Sequence, residues 1–164
     1  MANKSNCRAI TTALLSFTFL LGPAVAVSQS APDAGEKAVS TRQGFMQLVV
    51  YSAGPLFGMA KGDVAYDAAV ANSNAENLKA LAQYDFPALF VDGTSKEDRP
   101  GKTRALPEIW ADKAKFEQTF GQFGDAVNAL SDQAGTGQAE LAAAVGNLGK
   151  ACGDCHNAFR AKDF

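Results

Sequence analysis

Residues 107–130, PEIWADKAKFEQTFGQFGDAVNAL, decide the fold. Ile109, Phe116, Phe120, Phe123, Val127 and Leu130 are separated by threes, fours and one seven, with polar residues between them, the signature of a helix that buries one stripe. Pro107 suits the first position of that helix, where a missing N–H costs nothing. Gly135-Thr136-Gly137 ends it, and a further helix from about Gln138 carries Leu141, Val145, Leu148, Cys152, Cys155 and Phe159 on one stripe.

Towards the N-terminus, residues 91–106, VDGTSKEDRPGKTRAL, hold seven charged side chains with almost nothing to bury, and read as a surface loop. Ahead of it, a helix opens at Asp67 as N-cap, runs through Val70, Leu78, Leu81 and Ala82, and is broken by Phe86-Pro87. The first helix spans Val39 to Lys61, with Phe45, Met46, Val49, Val50, Leu56, Phe57 and Ala60 at helical spacing, a bend at Pro55 and a stop at Gly62. Two short connections and one longer loop between four helices predict an all-α, antiparallel up-down-up-down four-helix bundle. Helices of roughly 25 residues would be ~38 Å long, enough to enclose a flat cofactor.

Composition agrees. With 164 residues, 47% hydrophobic and 20% charged, the chain can build one core, which excludes a disordered polypeptide. Lys4 and Arg8 precede an apolar run from Ala9 to Leu21, followed by Gly22-Pro23 and Ala24-Val25-Ala26, the three parts of a secretory signal peptide cleaved after Ala26. The run is too short for a membrane span, which needs ~20 residues, so a soluble periplasmic product without a membrane anchor is expected. Cys7 leaves with the signal. Residues 27–37 read as a flexible segment and 38–164 as the bundle. Without Lys4 and Arg8 the chain keeps 13 of its 15 basic and all 17 acidic side chains, a formal charge of −4 that offers nucleic acid no footprint.

Beyond residue 26 there are two cysteines and one histidine, all within Cys152-Gly153-Asp154-Cys155-His156. This is the C-x-x-C-H attachment sequence of c-type haem. On a helix these spacings bring all three side chains to one face, with the thiols placed for thioether bonds to the haem vinyl groups and the imidazole placed to bind the iron. Zinc would need a fourth ligand, and no other Cys or His is available. A thioredoxin-like redox pair belongs at a helix start after a strand, whereas this one lies late in a helical stretch. A plain disulfide is the remaining alternative. Export favours one covalently attached haem c, with its iron, per chain.

GKACGDCHNAFR (149–160), TRQGFM (41–46) with MAKGDVAYD (59–67), and PEIWADKAKF (107–116) together resemble the cytochrome c′ family, and within it the low-spin branch called cytochrome c-556. The likeness covers about residues 38 to 162. It implies a four-helix bundle with haem in its core, commonly paired as a homodimer. Cys152 and Cys155 match the thioether positions, and His156 matches the axial ligand. Arg160 matches an arginine near the haem edge, where it would offset a propionate. Arg42 and Gln43 match a first-helix pair that approaches the propionates. Arg104, just ahead of PEIW, falls where some members touch the haem, at a position too variable to assign.

A low-spin haem needs a sixth ligand, and the resemblance implies Met46, at the distal position of the first helix. Met59, more than three turns further on, reads as core filling, as does Phe45. Five-coordinate members also tolerate methionine at the distal position, where it only crowds the iron. Two functions therefore remain open: a one-electron carrier, or a protein that takes up nitric oxide or carbon monoxide at an open distal face. A haem-free thiol oxidoreductase is a third. No general base, nucleophile or metal-bound water is legible beyond the haem, so no enzyme is expected, and the redox partner proteins have no signature in the sequence.

Overall fold

The computed structural model describes residues 33–164. The signal peptide assigned to residues 1–26 lies outside the described residues. Five α-helices follow one another: α1 (Ala34–Lys61), α2 (Ala68–Ala82), α3 (Glu108–Ala111), α4 (Lys113–Gln133) and α5 (Gln138–Phe159), with a 3-10 turn at Phe86–Leu89. The four long helices form the expected bundle: α1 packs on α2, α2 on α4 and α4 on α5, and α5 closes the ring against α1. Two contacts fix the antiparallel sense. The Gln138 side-chain amide, at the start of α5, donates to the carbonyl of Met59 near the end of α1. The Tyr66 hydroxyl, just ahead of α2, donates to the carbonyl of Ala134 at the end of α4.

The helix ends follow local chemistry. Asp67 accepts from the N–H groups of Ala69 and Val70, so the expected N-cap of α2 is in place. Gly62, at φ 79°, closes α1 in the left-handed conformation, where glycine carries no Cβ penalty. The start of α1 departs from expectation. Asp33 caps it by accepting from Glu36 N–H at 2.8 Å, so helix begins at Ala34 and takes in the end of the segment read as flexible. The third helix also differs. Asp112 (φ −141°, ψ 74°) interrupts it and recaps the chain by accepting from Lys115 N–H, so Ile109 and Trp110 belong to the one-turn α3 and Phe116 to Leu130 belong to α4.

The core forms from the predicted stripes. Leu56, Leu78, Val127, Leu130, Leu141 and Leu148 are buried, with Phe45, Val49, Phe116, Phe123 and Phe159 around them. Phe45 stacks on Phe86 at 4.4 Å, as core filling does. Val50 and Val70 turn outward instead, because each lies off the inward stripe of its helix.

The loop before α3 is more than a solvated connection. Thr94, Ser95 and Thr103 are buried in it, which corrects the reading that it buries almost nothing. Hydroxyls can be buried when their hydrogen bonds are met locally. Thr94 donates to the Val91 carbonyl, and Ser95 donates to Asp98. Three contacts tie the loop to α1: Arg99 bonds Asp33 through both terminal nitrogens, Arg42 bonds Thr94, and the Gln43 amide donates to the Lys102 carbonyl. The same loop pairs with the end of α5 and the chain after it, where Leu106 N–H donates to Phe159 O, Ala161 N–H donates to Arg104 O, and Ala105 faces Arg160 in an antiparallel bridge.

Candidate haem site

The buried stripe of α5, Leu141, Ala144, Val145, Leu148 and Ala151, resumes at Phe159. Between Ala151 and Phe159 come Cys152, Cys155 and His156, each partly shielded from solvent, the two cysteines packed against the core. Both thiols are free, which leaves the disulfide reading without support. Burial raises the Cys152 thiol; burial, with Cys152 close by, pushes Cys155 up to about 11 despite the opposing Arg160 charge. Reactive redox thiols need the opposite shift, towards thiolate, which burial opposes at both positions. Burial, then the charges of Arg160 and Arg104, lower the His156 imidazole and favour the neutral form that binds metal. Among the described residues no group of three or more His, Cys, Asp and Glu side chains is gathered as a metal site would need.

Arg160 stands at the C-cap of α5, its N–H on the His156 carbonyl, and the bridge to Ala105 sets Arg104 close by. Each arginine's charge bears on His156, and burial, then the charge of Arg104, lowers Arg160. The bridge thus brings Arg104 to this end of α5, where its sequence position alone did not place it. Arg42 is buried among loop atoms, and the Gln43 amide is spent on a loop carbonyl.

Met46 is partly buried and packed against the core from α1. Because α1 and α5 run antiparallel with Met59 beside Gln138, thirteen residues back along α1 brings Met46 level with about Ala151 and Cys152 on α5. Met59 is buried, and its sulfur accepts from Asp67 N–H at 3.3 Å. The eighteen residues from Gln138 to His156 rise by ~27 Å, which puts Met59 at the far end of the bundle from the imidazole. Its assignment as core filling holds.

Two unpaired thiols, a neutral imidazole and two flanking guanidinium groups fit a flat, doubly anchored cofactor bearing carboxylates. That donor set on a bundle helix defines a helical c-type cytochrome. The family model described as Cytochrome C′ matches residues 37–160. A cytochrome c′ of Cereibacter sphaeroides is 44% identical over 140 residues, covering 85% of this chain and 91% of that protein. A solved cytochrome c′ from Rhodobacter Spheriodes superposes with a TM-score of 0.76 at 46% identity, over 80% of this chain and 99% of that one. The nitric oxide complex of a mutant cytochrome c′ from Alcaligenes xylosoxidans gives 0.68 at 36% identity, over 78% and 97%. The chain belongs to the cytochrome c′ family. Its cofactor is the covalently attached c-type haem, with iron, of that family.

Proposed function

We propose that the protein is an exported electron carrier in which Cys152 and Cys155 hold the haem, His156 binds one face of the iron and Met46 the other. The observation that carries this reading is the placement of the methionines. Met46 lies level with Cys152, whereas Met59 is ~20 Å further along α1 with its sulfur engaged by Asp67. One-electron cycling between ferric and ferrous iron is the chemistry the haem supplies. The chain's part is to hold, shield and tune it. Burial, with the charges of Arg160 and Arg104, favours the neutral, ligating form of the His156 imidazole. Arg42 and Arg160 serve the propionates, while Gln43 braces the loop through the Lys102 carbonyl. Arg104 and Arg160 add positive charge near the iron, which favours the reduced state. In this role the protein passes electrons and catalyses no reaction of its own.

A second reading, gas uptake at an open distal face, is favoured by the nitric oxide complex of the Alcaligenes relative. An absorption spectrum with and without carbon monoxide separates the two. The carrier gives a sharp low-spin spectrum that the gas leaves unchanged; a high-spin spectrum that shifts with the gas overturns it.

Periplasmic delivery rests on the signal-like residues 1–26, and intact mass should equal the chain from Val27 plus one haem. Among the described residues, no helix is long and apolar enough to cross a membrane. Pairing as a homodimer is supported by an apolar line on the outer side of α1, where Leu48, Tyr51 and Pro55 are exposed. Sedimentation giving only the mass of one chain would refute it.

A further inference from the structure

Arg42 is the one ionised side chain in the buried set, at 4% exposure, and none of the ion pairs among the described residues includes it. A buried charge without a counter-charge is strongly unfavourable. Its contacts in the chain are neutral. Nη1–H donates to Thr94 Oγ1 at 3.0 Å, Nη2–H donates to the Thr94 carbonyl at 3.0 Å, and the guanidinium carbon sits 4.5 Å from the Phe90 ring centroid. A guanidinium carries five N–H bonds, so three are left for an acceptor from outside the chain.

The two residues that hold it are themselves immobilised. Thr94 is fully buried, and its own O–H is committed to the Val91 carbonyl at 2.6 Å, which leaves the oxygen lone pairs to Arg42. The turn between them passes through Gly93 at φ +73°, a conformation that disfavours any other residue. Phe90 is wedged by Phe86, Trp110 and Phe116, and its carbonyl accepts from Trp110 Nε1–H. The guanidinium is therefore gripped on one edge and one face, with its other three N–H bonds uncommitted within the chain.

We propose that Thr94, supported by Phe90, is a positioning residue that aims the uncommitted N–H bonds of Arg42 at a haem carboxylate, so that a neutral hydroxyl in the loop sets the charge felt by the cofactor. This rests on the reading of Arg42 given under Proposed function. No ionisable side chain of the described residues shifts Arg42; burial alone does. The other cations of the site, Arg104 from the loop and Arg160 from the end of α5, bear on His156. An aimed cation within ~4–6 Å lowers a carboxylate pKa by about 1–3 units. Loss of aim must therefore move the carboxylate titration to higher pH.

The test is the pH dependence of the reduction potential in holoprotein carrying Thr94→Ser, Thr94→Val, Phe90→Leu, Arg42→Gln, and Thr94→Val with Arg42→Gln. Thr94→Ser should match the parent, because it keeps the hydroxyl. Thr94→Val should raise the inflection by about one pH unit, less than Arg42→Gln does, and add nothing in the Arg42→Gln background. Phe90→Leu should move it in the same direction. An unchanged inflection in Thr94→Val, or the same shift with and without Arg42, overturns the positioning role. If Thr94→Val yields no holoprotein, Phe90→Leu decides, and a parental inflection there overturns it. A silent Arg42→Gln instead removes the underlying reading of Arg42, and the positioning role with it.

Discussion

Acid-acetone should leave the haem on the parent protein and strip it completely from a variant carrying both Cys152→Ala and Cys155→Ala. Two thioether bonds survive an extraction that breaks iron coordination, so the readout is close to all or none. The thiols are free, half-buried and level with Met46, and no other cysteine among the described residues can replace them. Haem that stays covalently bound to the double variant would refute the attachment sites. His156→Ala removes the sole histidine in the chain. Its haem should remain covalently attached yet lose its parental ferrous spectrum, and an unchanged spectrum would take the axial role from His156.

Met46→Ala should produce the second large change. If its sulfur binds iron, the ferric form turns high-spin, loses its far-red sulfur-to-iron band, binds carbon monoxide and shows a lower reduction potential. Truncation also removes packing. Full burial would make that cost ~2–5 kcal/mol, and the partial burial of Met46 places it near the lower end. Met46→Leu separates the two effects, since it roughly keeps volume and cannot coordinate. A low-spin spectrum in both variants would exclude Met46. Because Met59 lies at the far end of the bundle, that outcome would point to a nitrogen ligand such as a lysine.

The long helices were legible because burial writes a period into the sequence. The phenylalanines of α4 and the leucines of α5 recur at helical spacing, and Asp67 and Gly62 mark their helix ends by chemistry that needs no tertiary partner. Cys152, Cys155 and His156 stood out because the attachment proposed for them needs residues close together in the sequence. What escaped is set by contacts distant in sequence. The start of α1 depends on Asp33, whose carboxylate is held by Arg99 far along the chain. The break at Asp112 falls in the seven-residue gap between Ile109 and Phe116, a spacing that a continuous helix would satisfy equally well. Thr94 lies in a stretch of charge, and nothing in its neighbours tells that Arg42, fifty-two residues earlier, reaches it.

The order of elements along the chain bears on how the protein is made. The inward faces of α1 and α4, with Val49, Leu56, Val127 and Leu130, have no complete cover until α5 is present. Cys152, Cys155 and His156 arrive near the end of that same helix, so the bundle cannot close around an empty centre much before the attachment sequence itself emerges. Maturation and folding therefore share one time window. An attachment machinery that must reach both partly shielded thiols is therefore expected to act before the four helices have packed.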